Sequence, residues 1–136
     1  MPLKQLFSKA ELPPPKLFLI DGFGAILSAF LLGVVLVKYE SVFGIPSSTL
    51  YFLATIPIFF AIYDFYCYRK GYFKSGLFLK GIAVLNIAYC FISIGFAIYH
   101  SRIITSLGRA YIAIEIVVVL ILATIEYSAG QRVTKD

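Results

Sequence analysis

Apolar residues in this chain fall into four long runs, and the polar positions between them are few and clustered. The first run, Leu17 to Val37 (LFLIDGFGAILSAFLLGVVLV), carries a single charge, Asp21, in its 21 residues. At about 1.5 Å of rise per residue, a helix of that length crosses a hydrocarbon core of about 30 Å. Three more runs follow, over about 50–68, 77–99 and 109–127. Helices apolar on every face and joined by short polar turns predict an all-α, polytopic membrane protein: a four-transmembrane-helix up-down bundle.

The flanks divide the chain into an amphipathic segment over 1–16, a transmembrane domain over 17–127 with first span 17–37, and a polar, frayed tail over 128–136. Leu3, Leu6, Phe7 and Ala10 recur at helical spacing opposite Lys4, Gln5, Ser8, Lys9 and Glu11, which predicts a short helix in the headgroup layer. Pro13, Pro14 and Pro15 end it, and Lys16 anchors the first span. Ala25, Ala29 and Gly33 form a small-residue stripe beside a polar face of Asp21, Gly24, Ala25 and Ser28, so this span belongs inside a bundle. Ser47, Ser48 and Thr49 offer N-cap hydroxyls to the second span, and Pro57 predicts a kink within it. The third span has two stripes: Gly81, Ala88 and Gly95, read as a close-packing seam, and Asn86, Cys90, Ser93 and Ala97. In the fourth, Glu115, Val119, Leu122 and Glu126 share one face, the two carboxylates about 16 Å apart along the axis.

Composition reinforces this reading. Hydrophobic residues make up 60% of the chain and mean hydropathy is +0.90, beyond the range of soluble domains. The net charge of +5 comes from basic residues clustered between the apolar runs, which suits membrane lipids as partners rather than nucleic acid. With the N-terminus inside, the inner side holds Lys4, Lys9, Lys16, Arg69, Lys70, Lys74, Lys80, Arg132 and Lys135, against Lys38, Arg102 and Arg109 outside. That bias places both termini in the cytoplasm and the chain, as a multi-pass protein, in the cell inner membrane. Cys67 and Cys90 belong to no metal or redox spacing and are read as packing residues. The length of the first run and the charge within it argue against a cleaved signal peptide.

Candidate chemistry is a matter of depth. With this topology Asp21, Asp64, Lys80 and Glu126 come from four helices, each within about a turn of the cytoplasmic interface. Sharing a polar cluster lowers the cost of such groups, and the expectation is that Lys80 pairs with Asp21 or Asp64. Glu115 lies deeper from the opposite side and is expected to be held by Arg109, Tyr111 or Lys38. Asn86 reads as an interhelical hydrogen-bond partner. No catalytic, cofactor-binding or metal-ligating set stands out: His100 is the sole histidine, Gly22 and Gly24 lie inside a span with no strand before them, and Ser28 and Ser93 have no base at their depth.

The segment LIDGFGAILSAFLLGVVL, followed by a Gly-Pro turn and three more short-looped helices, resembles an uncharacterised group of small four-helix bacterial inner-membrane proteins. That resemblance implies the fold and brings no activity. In helix number the chain is also similar to small multidrug exporters, whose first helix carries a membrane carboxylate; here the acid, Asp21, is shallower. The resulting expectation is a small non-enzymatic integral membrane protein, without cofactor, acting as a structural, assembly or accessory subunit beside another membrane protein. The alternative is a homodimer that carries protons or a small cationic solute past Asp21, Glu115 or Asp64.

Overall fold

The computed structural model describes residues 13–71 and 76–135, all of it helix and turn. The amphipathic helix expected before Pro13 lies outside the described residues.

Helix α1, Pro14–Lys38, begins three residues before the expected start. Prolines at its first positions cost nothing there, because those amides have no partner within a helix. A single π-helical turn, Leu31–Val35, is inserted near its far end. Gly33, in that turn, lies so close to the next long helix that an added Cβ would come to 3.2 Å from the Ala54 methyl. A short helix α2, Glu40–Phe43, follows and is closed by Gly44 at φ +72°. Gly44 is confined as well as left-handed, since a Cβ there would meet the Ile103 carbonyl oxygen at 2.3 Å.

Helix α3, Ser47–Lys70, starts earlier than expected and is capped differently. Pro46 occupies the N-cap position and no hydroxyl of Ser47, Ser48 or Thr49 caps the helix. The Glu40 carboxylate does so from outside, accepting from the Ser47 amide at 3.2 Å and the Ser47 hydroxyl at 2.9 Å. A carboxylate suits the positive end of the helix dipole better than a neutral hydroxyl, which is why α2 can displace the local caps. Thr49 is engaged elsewhere, 2.9 Å from Nε2 of His100. The helix runs on through Pro57, which is buried, and stops at Gly71, φ +73°.

Helix α4 spans Leu77–Tyr99 and α5 spans Ser106–Lys135. The frayed tail expected after Tyr127 is therefore helical through Lys135. Ala129 and Gly130 are buried, and a Cβ on Gly130 would meet the Gly76 carbonyl and the Lys80 side chain, both at 2.8 Å. Two small residues let α5 pack tightly on the start of α4, and that contact extends the helix past its apolar run.

Helix α1 packs chiefly on α3, and α4 on α5. Gly22 facing Phe65, and Gly33 facing Ala54, show α1 and α3 antiparallel; Asn86 with Glu126 and Tyr89 with Glu115 show the same of α4 and α5. The two pairs are tied at both ends: near the start of α4 the Phe78 carbonyl accepts from the Tyr63 hydroxyl of α3 at 2.8 Å, and at the far end α2 reaches across to α5. The Thr105 amide donates to the Phe43 carbonyl at 3.2 Å, the Thr105 hydroxyl donates to the Val42 carbonyl, and Gly108 leaves room for Phe43. This far end holds the larger core, with Leu32 and Leu36 from α1, Leu50 and Leu53 from α3, and Ile104 and Ile112. The opposite, basic end, near Lys16, Arg69, Lys80 and Arg132, holds a smaller one built on Leu17, Phe18, Cys67, Leu79 and Ile82.

The outer surface is apolar. Phe23, Phe59, Phe91 and Ile98 are more than half exposed, a distribution that lipid tails satisfy and water does not. Among the described residues four long helices have the length and composition to cross a membrane, so the fold is consistent with a multi-spanning membrane protein. One expected seam holds only at its start: a Cβ on Gly81 would meet the Tyr63 hydroxyl at 2.8 Å, whereas Ala88 and Gly95 are exposed, with nothing within 4 Å of a Cβ on Gly95. It is the other stripe of α4, through Asn86, Cys90 and Ser93, that turns inward.

Candidate polar site between the helix pairs

Three carboxyl groups converge in the basic half of the bundle, where the two helix pairs meet. Asp21 comes from α1, Asp64 from α3 and Glu126 from α5, and they are 3%, 0% and 0% exposed. Each sits on the inward stripe of its helix: Asp21 follows Leu17 and Phe18, Asp64 follows Pro57 and Ala61, and Glu126 follows Ala123. Helix periodicity that buries the apolar neighbours buries the acids with them.

Asn86 of α4 completes the group. Its Nδ2 donates to Asp21 Oδ1 and to Glu126 Oε1, both at 3.0 Å, so one amide bridges acids from the two helix pairs. Asp64 lies beside Asp21 and Glu126. No amide or hydroxyl donates to either of its oxygens, nor to Asp21 Oδ2 and Glu126 Oε2, while Asp21 stands within hydrogen-bonding reach of both other acids once a proton is shared. The expected ion pair is not formed: Lys80 lies across Gly130 with its ammonium 5.8 Å from the centre of the Tyr127 ring, turned toward the basic end. A lysine on the first turn of α4 has the reach to stay at the headgroups, and its aliphatic stem is used in packing on Gly130. The structure thus brings together Asp21, Asp64, Glu126 and Asn86, and leaves Lys80 apart.

Glu115 is separate from this cluster, in the far half. Its Oε1 accepts from the Tyr89 hydroxyl of α4, and Tyr111 lies beside the same carboxyl. Of the three partners expected, Tyr111 is in place. Arg109 donates instead to the Ser101 carbonyl at 2.9 Å, and Lys38 stacks on Tyr39. Tyr89 is the residue that sequence reasoning missed. It stands three residues after Asn86 and four before Ser93, on the inward stripe, and that spacing was the signal available for it.

Between the cluster and Glu115 lies a cavity of about 70 Å³. Asp21, Ser28, Asn86 and Tyr89 supply its polar wall, and Pro57, Phe60, Val119 and Leu122 its apolar one. Deeper along α4, the buried Ser93 hydroxyl lies beside Tyr89. Both cysteines are free and buried, and among the described residues no group of His, Cys, Asp and Glu is arranged to hold a metal ion. What the arrangement offers is carboxyl oxygens that accept protons, an amide that holds two of the acids at fixed distance, and a small polar space alongside. Compared with known proteins, the chain matches no family model, no curated protein and no solved structure, so these groups are interpreted from their own geometry.

Proposed function

We propose that this chain is a non-enzymatic, multi-pass protein of the bacterial cytoplasmic membrane that binds protons at Asp21, Asp64 and Glu126 and couples that binding to transport. The observation that carries this reading is the absence, among the described residues, of a cation opposite three buried carboxyls. Buried acids kept only for packing come paired, because an unpaired polar group in the bilayer costs several kcal/mol, on the order of 3 for a central aspartate. A proton relieves that cost: a carboxyl that takes one becomes a hydrogen-bond donor to the neighbour it would otherwise repel. The location supports a transport role, since the acids belong to both helix pairs, and membrane carriers commonly place their sites where two such bodies meet. The bias of Lys and Arg puts this cluster on the cytoplasmic side.

The test is proton flux in liposomes holding a pH-sensitive dye. Wild type is expected to dissipate an imposed pH gradient faster than empty liposomes, and Asp64→Asn, which keeps the shape and removes the titratable group, to abolish the difference. Wild-type flux equal to that of empty liposomes overturns the reading.

A second reading has its own observation. A cavity of about 70 Å³ admits water but no larger solute, as suits an assembly or accessory subunit. That reading predicts no flux and a membrane protein that stays bound through purification in mild detergent.

A further inference from the structure

Buried acids of the basic half and Glu115 of the far half are separate groups, yet one residue connects Glu115 with the cavity beside the acids. Tyr89 donates its hydroxyl proton to Glu115 and also lines the cavity whose wall includes Asp21, Ser28 and Asn86. A cavity holds water when it exceeds the volume of about one probe sphere and offers each molecule two to four polar partners. Here the volume is about 70 Å³ and four polar side chains face it. One of them, Asp21, is 3% exposed, and no amide or hydroxyl donates to its Oδ2.

We infer that this cavity is an internal water site that joins the carboxyl cluster to Glu115 as a single proton relay. This rests on the proton-binding reading given above. A proton leaving the Asp21 carboxyl passes to cavity water. The water delivers a proton to the Tyr89 oxygen as the Tyr89 O–H proton moves to Glu115. One proton enters the chain and one leaves it, the phenol ends neutral, and no other reactant is needed. The groups that face this path are Asp64 from α3, Glu126 and Tyr111 from α5, and Asn86 and Ser93 from α4. Along α5 the relay spans the 11 residues from Glu115 to Glu126, about 16 Å and thus about half of a 30 Å hydrocarbon core.

Two variants cut the path in different ways. Ser28→Leu fills the cavity from α1, and Tyr89→Phe removes the shared hydroxyl while keeping the ring. Each is expected to lower liposome proton flux by about tenfold or more, the scale on which one positioned proton group acts, while Ile26→Ala on the outer face leaves it unchanged. Infrared difference spectra of the protein in nanodiscs supply a readout independent of transport. Wild type is expected to show an internal-water band that shifts in oxygen-18 water and is lost in Ser28→Leu. The carboxyl band that Glu115→Gln removes is expected to shift in Asp21→Asn, and to stop shifting when Tyr89→Phe is added.

If Asp64→Asn abolishes flux while Ser28→Leu and Tyr89→Phe retain it, the relay is overturned and the proton-binding cluster stands. If wild type carries no flux, the transport reading fails and the spectra judge the relay alone. A Glu115 band insensitive to Asp21→Asn then overturns it, and a sensitive one supports it.

Discussion

Glu115 and Asp64 are acids of the same bundle with opposite provision. Glu115, in the far half, is met by the Tyr89 hydroxyl and flanked by Tyr111. Asp64, in the basic half, is wholly buried beside two other acids, and no amide or hydroxyl donates to either of its oxygens. The surroundings differ in the same sense. The far half has the larger apolar core and the loop-to-loop hydrogen bonds of Thr105, whereas the basic half divides a smaller core around its polar cluster. One half supplies stability, and the other gives some of it up by burying carboxyls without donors.

Three substitutions would break or sharpen that contrast. The largest effect belongs to the far half: Gly108→Leu drives a side chain into the Phe43 carbonyl, which a Cβ alone would meet at 2.1 Å. A backbone atom cannot rotate away, so the loss of stability is expected to reach about 3 kcal/mol or more, read as a collapse of folded yield and of the thermal midpoint in detergent. Next comes Asn86→Leu in the basic half, which removes the amide that donates to both Asp21 and Glu126. Two acceptors lose their partner at once, and destabilisation of about 2–3 kcal/mol is expected in the same melt. Asp64→Leu should go the other way, raising stability by about 1–2 kcal/mol as a polar group without a donor leaves the interior, while proton flux disappears. A lower midpoint for Asp64→Leu would mean that the carboxyl is compensated after all, and the contrast between the halves would lapse.

The four long helices and their order were legible because apolar runs of this length leave few other solutions. The inward placement of Asp21, Asp64, Glu126 and Asn86 was legible for a related reason: each polar residue stands at helical spacing from buried apolar ones. Three features were not. The fate of Lys80 depends on a long, flexible side chain and on Gly130, in a stretch whose polarity reads as tail. The cap on α3 comes from Glu40, seven residues upstream of Ser47, and becomes visible only once α2 folds back. The Gly81, Ala88 and Gly95 spacing is as regular as that of a packed seam, yet only Gly81 packs, against Tyr63, while Ala88 and Gly95 face outward, because periodicity identifies a face without saying what it meets.

The clasp between α2 and the start of α5 has a mechanical consequence. It fixes the two helix pairs to each other at one extremity, and the Tyr63 hydroxyl, donating to the Phe78 carbonyl at 2.8 Å, ties α3 to α4 near the other, so a tilt about the clasp works against a second anchor. Asp64 lies 17 residues along α3 from Ser47, a lever arm of about 25 Å. A rotation of a few degrees would part the acids by about an ångström, but only by breaking the Tyr63 bond together with the Asn86 bridge, so the acids are clamped from both directions.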